Sequence, residues 1–90
     1  LLKLHGNYPN PFNPATRIDL TVEQTVDLEI RITGLDGKVI RTITRKSAQG
    51  NVTIPVTLAN QSSGVYFYKV TANRNNMAMQ QSVGRMLLIK

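Results

Sequence analysis

Val26-Asp27-Leu28-Glu29-Ile30-Arg31-Ile32-Thr33 alternates aliphatic and polar residues without a fault. Successive side chains of an extended chain point to opposite faces, so Val26, Leu28, Ile30 and Ile32 share one face while Asp27, Glu29, Arg31 and Thr33 share the other. This is the pattern of an antiparallel strand half buried against a core. The alternation recurs on both sides. Upstream, Ile18, Leu20 and Val22 are interleaved with Asp19 and Thr21, and downstream Val52, Ile54, Val56 and Leu58 are interleaved with Thr53, Pro55 and Thr57. Pro55 has no N–H for a ladder bond, which places that strand at a sheet edge.

Turn chemistry separates these runs. Gly34-Leu35-Asp36-Gly37 matches a tight hairpin of the two-residue kind, because Asp and Gly tolerate the positive φ such turns require. In Lys38 to Thr44 the aliphatics Val39, Ile40 and Ile43 fit no single face, which predicts a bulge near Arg41 and Thr42. After the polar loop Asn60 to Gly64, the run Val65-Tyr66-Phe67-Tyr68-Lys69-Val70-Thr71 has the strongest strand propensity in the chain. Asn73-Arg74-Asn75-Asn76 reads as a hairpin turn, and Met77 to Lys90 supplies a last strand or two with a bulge or break at Gly84. Helical periodicity is missing over any useful length. About seven short strands predict an all-β, immunoglobulin-like antiparallel β-sandwich. Its expected extent is residues 15–90, with 1–14 as linker and proline-rich lead-in.

Composition narrows the function classes. The chain has 90 residues, enough for one small domain, and it begins at Leu1 instead of a start methionine, which reads as a piece of a longer polypeptide. It contains no Cys and no Trp, so disulfides, thiolate metal sites and cysteine nucleophiles are excluded. The longest apolar run, Met86 to Ile89, falls far short of the roughly 20 residues that span a bilayer. Eleven Lys and Arg against five Asp and Glu give a formal charge of +6. The basic residues form no run beyond Arg45-Lys46 and are not interleaved with aromatics, which argues for a solvated basic surface and against a nucleic-acid platform.

No catalytic grouping emerges. His5 is the only histidine and lies far from any acidic pair. Asp27 and Glu29 share a solvent-facing ladder with Arg31, where charge pairing is the natural role. None of Ser47, Ser62, Ser63 and Ser82 has the context of an activated nucleophile. The pattern calls for no enzyme activity, no cofactor and no metal.

The unusual segment is Asn7-Tyr8-Pro9-Asn10-Pro11-Phe12-Asn13-Pro14, in which closely spaced prolines fix φ and hold the chain extended. Tyr8 and Phe12 are its large apolar groups and are expected to dock onto the sandwich. Tyr66, just after Gly64 at a strand start, resembles a tyrosine corner: Tyr66, Tyr68 and Val70 should face the core, with the Tyr66 hydroxyl bonding backbone in the loop 60–62. The ending Arg85-Met86-Leu87-Leu88-Ile89-Lys90 is apolar on both faces. It fits either a buried strand or one whose unpaired edge is offered to a partner by strand addition.

These segments, together with Leu35-Asp36-Gly37-Lys38-Val39-Ile40 and Ser63-Gly64-Val65-Tyr66-Phe67-Tyr68-Lys69-Val70, resemble the type IX secretion system C-terminal sorting domain. Gly84 stands where a second basic residue is common in that family. The resemblance implies a non-enzymatic domain at the end of a cargo chain, recognised by the type IX machinery for passage from the periplasm through the outer membrane of a Gram-negative bacterium. It implies a secreted or cell-surface destination and a surface sortase as a second partner. The residues expected to carry recognition are Tyr8, Pro9, Asn10, Pro11, Phe12, Asn13, Pro14, Gly64, Tyr66 and the tail Arg85, Met86, Leu87, Leu88, Ile89 and Lys90. The competing reading is an immunoglobulin-like binding or spacer module of a secreted carbohydrate-active enzyme, which requires an exposed aromatic platform with Phe67 at its centre.

Overall fold

The alternating runs Ile18 to Val22 and Val26 to Thr33 belong to one continuous strand. In the computed structural model, which spans residues 1–90, the chain forms β1 (Leu2–Tyr8), β2 (Ala15–Thr33), β3 (Val39–Thr57), β4 (Gly64–Arg74) and β5 (Met77–Leu88), with no helix. The all-β class holds. The seven-stranded, two-sheet sandwich does not: five strands form one antiparallel sheet, ordered β1-β2-β4-β5 with β3 also on β2.

The physical reason lies at Glu23-Gln24-Thr25, which carries no Gly or Pro to break the strand. The register with β3 shifts between Val22 and Val26, beside Gly50 at φ 77°, and again between Val26 and Leu28, beside Ser47 at φ 53°. Both strands therefore bend without ending. The first half of β2 pairs with β1, the second half with β4, and β3 accompanies β2 along both halves. What reads as four short strands is two long bent ones, and the sheet curls into a half-barrel.

Local expectations are met with small displacements. β3 pairs only with β2, so Pro55, opposite Arg17, does lie on an edge strand. The β2–β3 connection is one residue longer than a two-residue hairpin. Gly37 N–H donates to Gly34 O (3.1 Å), Gly34 N–H donates to Lys38 O (3.1 Å), and only Gly37 takes a positive φ, 82°. The bulge on β3 falls at Ile40, one position before the expected Arg41, because Ile32 pairs with Arg41 and Thr33 with Val39. The β4–β5 turn is a two-residue hairpin at Asn75 (φ 54°) and Asn76 (φ 62°), a conformation that Asn tolerates better than most residues.

Gly84 is neither bulge nor break. It sits in the regular register of β5 opposite Tyr68, and the Tyr68 ring lies across it: a Cβ there would stand 2.2 Å from Tyr68 Cζ. A basic residue at this position is excluded by the ring. Glycine gives up β-propensity, and the aromatic partner covers the backbone it exposes.

The concave side holds 18 buried apolar residues, among them Ile18, Leu20, Leu28, Ile30 and Ile32 of β2, Ile54 and Val56 of β3, Tyr66, Tyr68 and Val70 of β4, and Met86 and Leu88 of β5. Each such side chain contributes about 1.5–3 kcal/mol of burial energy. Leu2–Tyr8, read from the sequence as part of the lead-in, forms a strand of the same sheet, with Leu2 in the core and Leu4 packed against it.

Candidate functional site

Two segments that the sequence singles out separately, the lead-in and the tail, meet along one seam. Curling brings β1 and the loop after it alongside β5, running in the same direction. At the start of the seam the Gln80 carboxamide acts as a strand surrogate: Leu2 N–H donates to its Oε1 (2.9 Å) and its Nε2 donates to Leu2 O (2.7 Å). Further along, the Asn10 carboxamide does the same for β5. Leu87 N–H donates to Asn10 Oδ1 (2.9 Å), and Asn10 Nδ2 donates to Arg85 O (3.3 Å). Phe12 then pairs through its backbone, its N–H donating to Leu87 O (2.9 Å) and its O accepting from Ile89 N–H (3.0 Å).

Proline explains why a side chain is needed. Pro9 and Pro11 have no N–H, so this stretch cannot form a normal ladder, and the Asn10 amide supplies the donor and acceptor that the backbone lacks. The loop is held from behind as well. Thr16 Oγ1 donates to Pro9 O (2.8 Å), Asn7 Nδ2 donates to Thr16 Oγ1 (3.2 Å), and Leu58 N–H donates to Pro14 O (3.0 Å).

Phe12 is buried in the core as expected, but Tyr8 is 64% exposed. Its ring instead lies under the Arg17 guanidinium, 5.2 Å from carbon to ring centroid, a cation–π contact made outside the core. Pro9, Asn10, Pro11 and Asn13 are exposed and Pro14 is half-buried.

The tail divides cleanly by parity. Met86 and Leu88 are 1% and 0% exposed, whereas Leu87 and Ile89 are 37% and 50% exposed. The unpaired edge expected at Arg85 to Ile89 is therefore occupied by Asn10 and Phe12. Strand addition at this position would require the lead-in to leave. Gly64 and Tyr66 pair with Leu88 and Met86, and the Tyr66 hydroxyl donates to Ser62 O (2.6 Å), the expected corner bond. Lys90 closes the same region, its N–H donating to Ser63 Oγ (2.9 Å) and its ammonium to Ala59 O.

The other polar groups are accounted for locally. Asp27 faces Lys46 (3.7 Å) and accepts from Ser47 N–H, Glu29 pairs with Arg31 (2.9 Å), and Asp19 pairs with Arg17 (3.2 Å). His5 Nε2 lies 2.8 Å from Thr21 Oγ1, which itself donates to Asn51. Of the aromatics, Phe12, Tyr66 and Tyr68 are buried, Phe67 is half-buried on the outer face of β4, and Arg17 covers one face of Tyr8.

Residues 7–83 match the family described as the secretion system C-terminal sorting domain. The chain belongs to this family. A search of curated proteins finds no match. As a sorting domain the chain carries a type IX secretion signal, which implies a cargo-bearing chain, recognition by the secretion machinery and export through the outer membrane. The family is not an enzymatic one. The match begins in the lead-in and takes in Gly64 and Tyr66, while Arg85 to Lys90 lie beyond it. That tail is tied to the matched region through the seam.

Proposed function

We propose that this domain is the address of a larger secreted protein, that it catalyses nothing, and that the type IX machinery reads the surface built where the lead-in locks onto the terminal strand. The observation that carries this reading is the pair of bridges from Asn10 and Phe12 to Arg85, Leu87 and Ile89. They turn two distant sequence motifs into one rigid, exposed feature. Pro9, Asn10, Pro11 and Asn13 with the odd-numbered positions of the tail present its outer surface, and Phe12, Met86 and Leu88 anchor it in the core.

The same geometry supports a place for processing by a surface sortase. A protease needs an extended, unpaired segment, and residues 2–8 are already paired in the sheet, so the cut falls on the cargo side of Leu2. The domain then leaves as a folded unit while the cargo stays at the cell surface or is released. Fusing residues 1–90 to the end of a periplasmic reporter tests the proposal. The expected result is reporter in the medium of a host with the type IX machinery. Full periplasmic retention of a folded fusion overturns it.

A further inference from the structure

The outer face of β4 and β5 carries apolar and basic side chains with no carboxylate free to meet them. Across the two strands Phe67 stands opposite Arg85, Lys69 opposite Val83, and Val65 opposite Leu87. Two open grooves flank the Phe67–Arg85 pair. One, of about 360 Å³, is lined by Val39, Phe67, Lys69 and Val83 among others. The second, of about 350 Å³, opens between the lead-in and the tail, with Pro11, Val65, Arg85 and Leu87 on its walls. Val83 and Val39 are 65% and 51% exposed.

Charge on this face is one-sided. Lys69 and Arg85 make no ion pair, and the nearby carboxylates on the same face of β2, Glu29 and Asp27, are engaged by Arg31 and Lys46. We infer that this face docks an extended segment of a partner protein in which an acidic residue is flanked, two positions away on each side, by apolar residues. Val83, Arg85 and Leu87 project from one face at two-residue spacing, about 6.6 Å per step. An extended segment repeats that spacing, so its two apolar side chains enter the two grooves while its carboxylate meets Arg85. A second copy of this chain fits poorly, because a two-fold contact through this face would bring Lys69 and Arg85 against their own counterparts. The inference rests on the sorting reading, which makes the partner a component of the export machinery.

The test uses the reporter fusion with charge reversals at two places. Lys69→Glu with Arg85→Glu alters the docking face, and Lys3→Glu with Arg45→Glu makes the same change of net charge elsewhere. Melting curves of residues 1–90 confirm that both remain folded. The expected result is a fall of about tenfold or more in secreted reporter for the first pair, little change for the second, and near-complete export for Arg85→Lys. Equal losses in both pairs assign the effect to net charge and overturn the inference. Full export of the first pair overturns it while leaving the sorting reading intact, and failure of the unaltered fusion to be exported sinks the sorting reading itself. Two further outcomes give the face to another occupant and also overturn it: self-association of residues 1–90 in sedimentation that Val83→Asp abolishes, or sedimentation with phosphatidylglycerol vesicles that Lys69→Glu with Arg85→Glu abolishes.

Discussion

Tyr66 and Tyr68 both point into the core from β4, and their phenols meet different surroundings. The Tyr66 hydroxyl donates to Ser62 O, so Tyr66→Phe leaves a carbonyl short of a partner. We expect a loss of about 1–2 kcal/mol, which for a domain of this size lowers the melting temperature by roughly 4–8 °C per kcal/mol. An unchanged melting temperature in calorimetry contradicts the corner. Tyr68 lies across Gly84, and burial raises its pKa above the ordinary value of 10.0. Its protonated form is favoured by folding, so its contribution is complete below the unfolded-chain pKa of about 10 and is lost as pH rises through the higher folded value. Wild-type protein should therefore lose melting temperature faster than Tyr68→Phe above pH 10. Parallel curves for the two proteins contradict that assignment. The inward faces of Tyr66 and Tyr68 were legible from the tyrosine-corner position of Tyr66 together with the period-two spacing of a strand. The seat on Gly84 was not, because pairing register sets which residue lies under a ring, and register is a long-range property.

The strands were legible wherever aliphatic alternation was long, as from Val26 to Thr33, and less so where tertiary pairing overrode local punctuation. The polar stretch Glu23 to Thr25 reads as a break, yet continuous pairing to β3 carries β2 through it. β1 was missed although Leu2 and Leu4 alternate with Lys3 and His5, because the run is short and stands beside the prolines. The Asn10 bridge had a local signal: between two prolines that lack an N–H, its carboxamide can both donate and accept. Asn10→Ala removes both of its bonds to β5. The expected outcome is a loss of about 1–3 kcal/mol and, by amide hydrogen exchange, faster exchange at Leu87, whose N–H is the donor to Asn10. Ile89, bonded to Phe12 O, should stay protected. Slow exchange at Leu87 in the variant means that Asn10 is not what caps that edge.

At the scale of the whole molecule the terminal strand is both structural and exposed. Removing Leu87 to Lys90 takes Leu88 from the core, Phe12's partners from the seam and Lys90 from the loop beside Tyr66. We expect this deletion to destabilise the domain by at least about 3 kcal/mol, seen as a much lowered or absent thermal transition. A deletion variant that melts like the full chain contradicts the core assignment of the tail. It follows that loss of export on truncation reports folding, and only surface substitutions report recognition. The family's motifs, from Asn7 to Pro14 and from Ser63 to Val70, were readable from the sequence. The seam was not, because it joins residues more than 70 positions apart and depends on a curl that no local pattern encodes. The most direct measurement is the fraction of a reporter carrying residues 1–90 that reaches the medium in paired strains differing only in a working type IX translocon. Most of the reporter is expected in the medium of the competent strain and in the periplasm of the other. Equal distribution in the two strains would contradict the sorting reading.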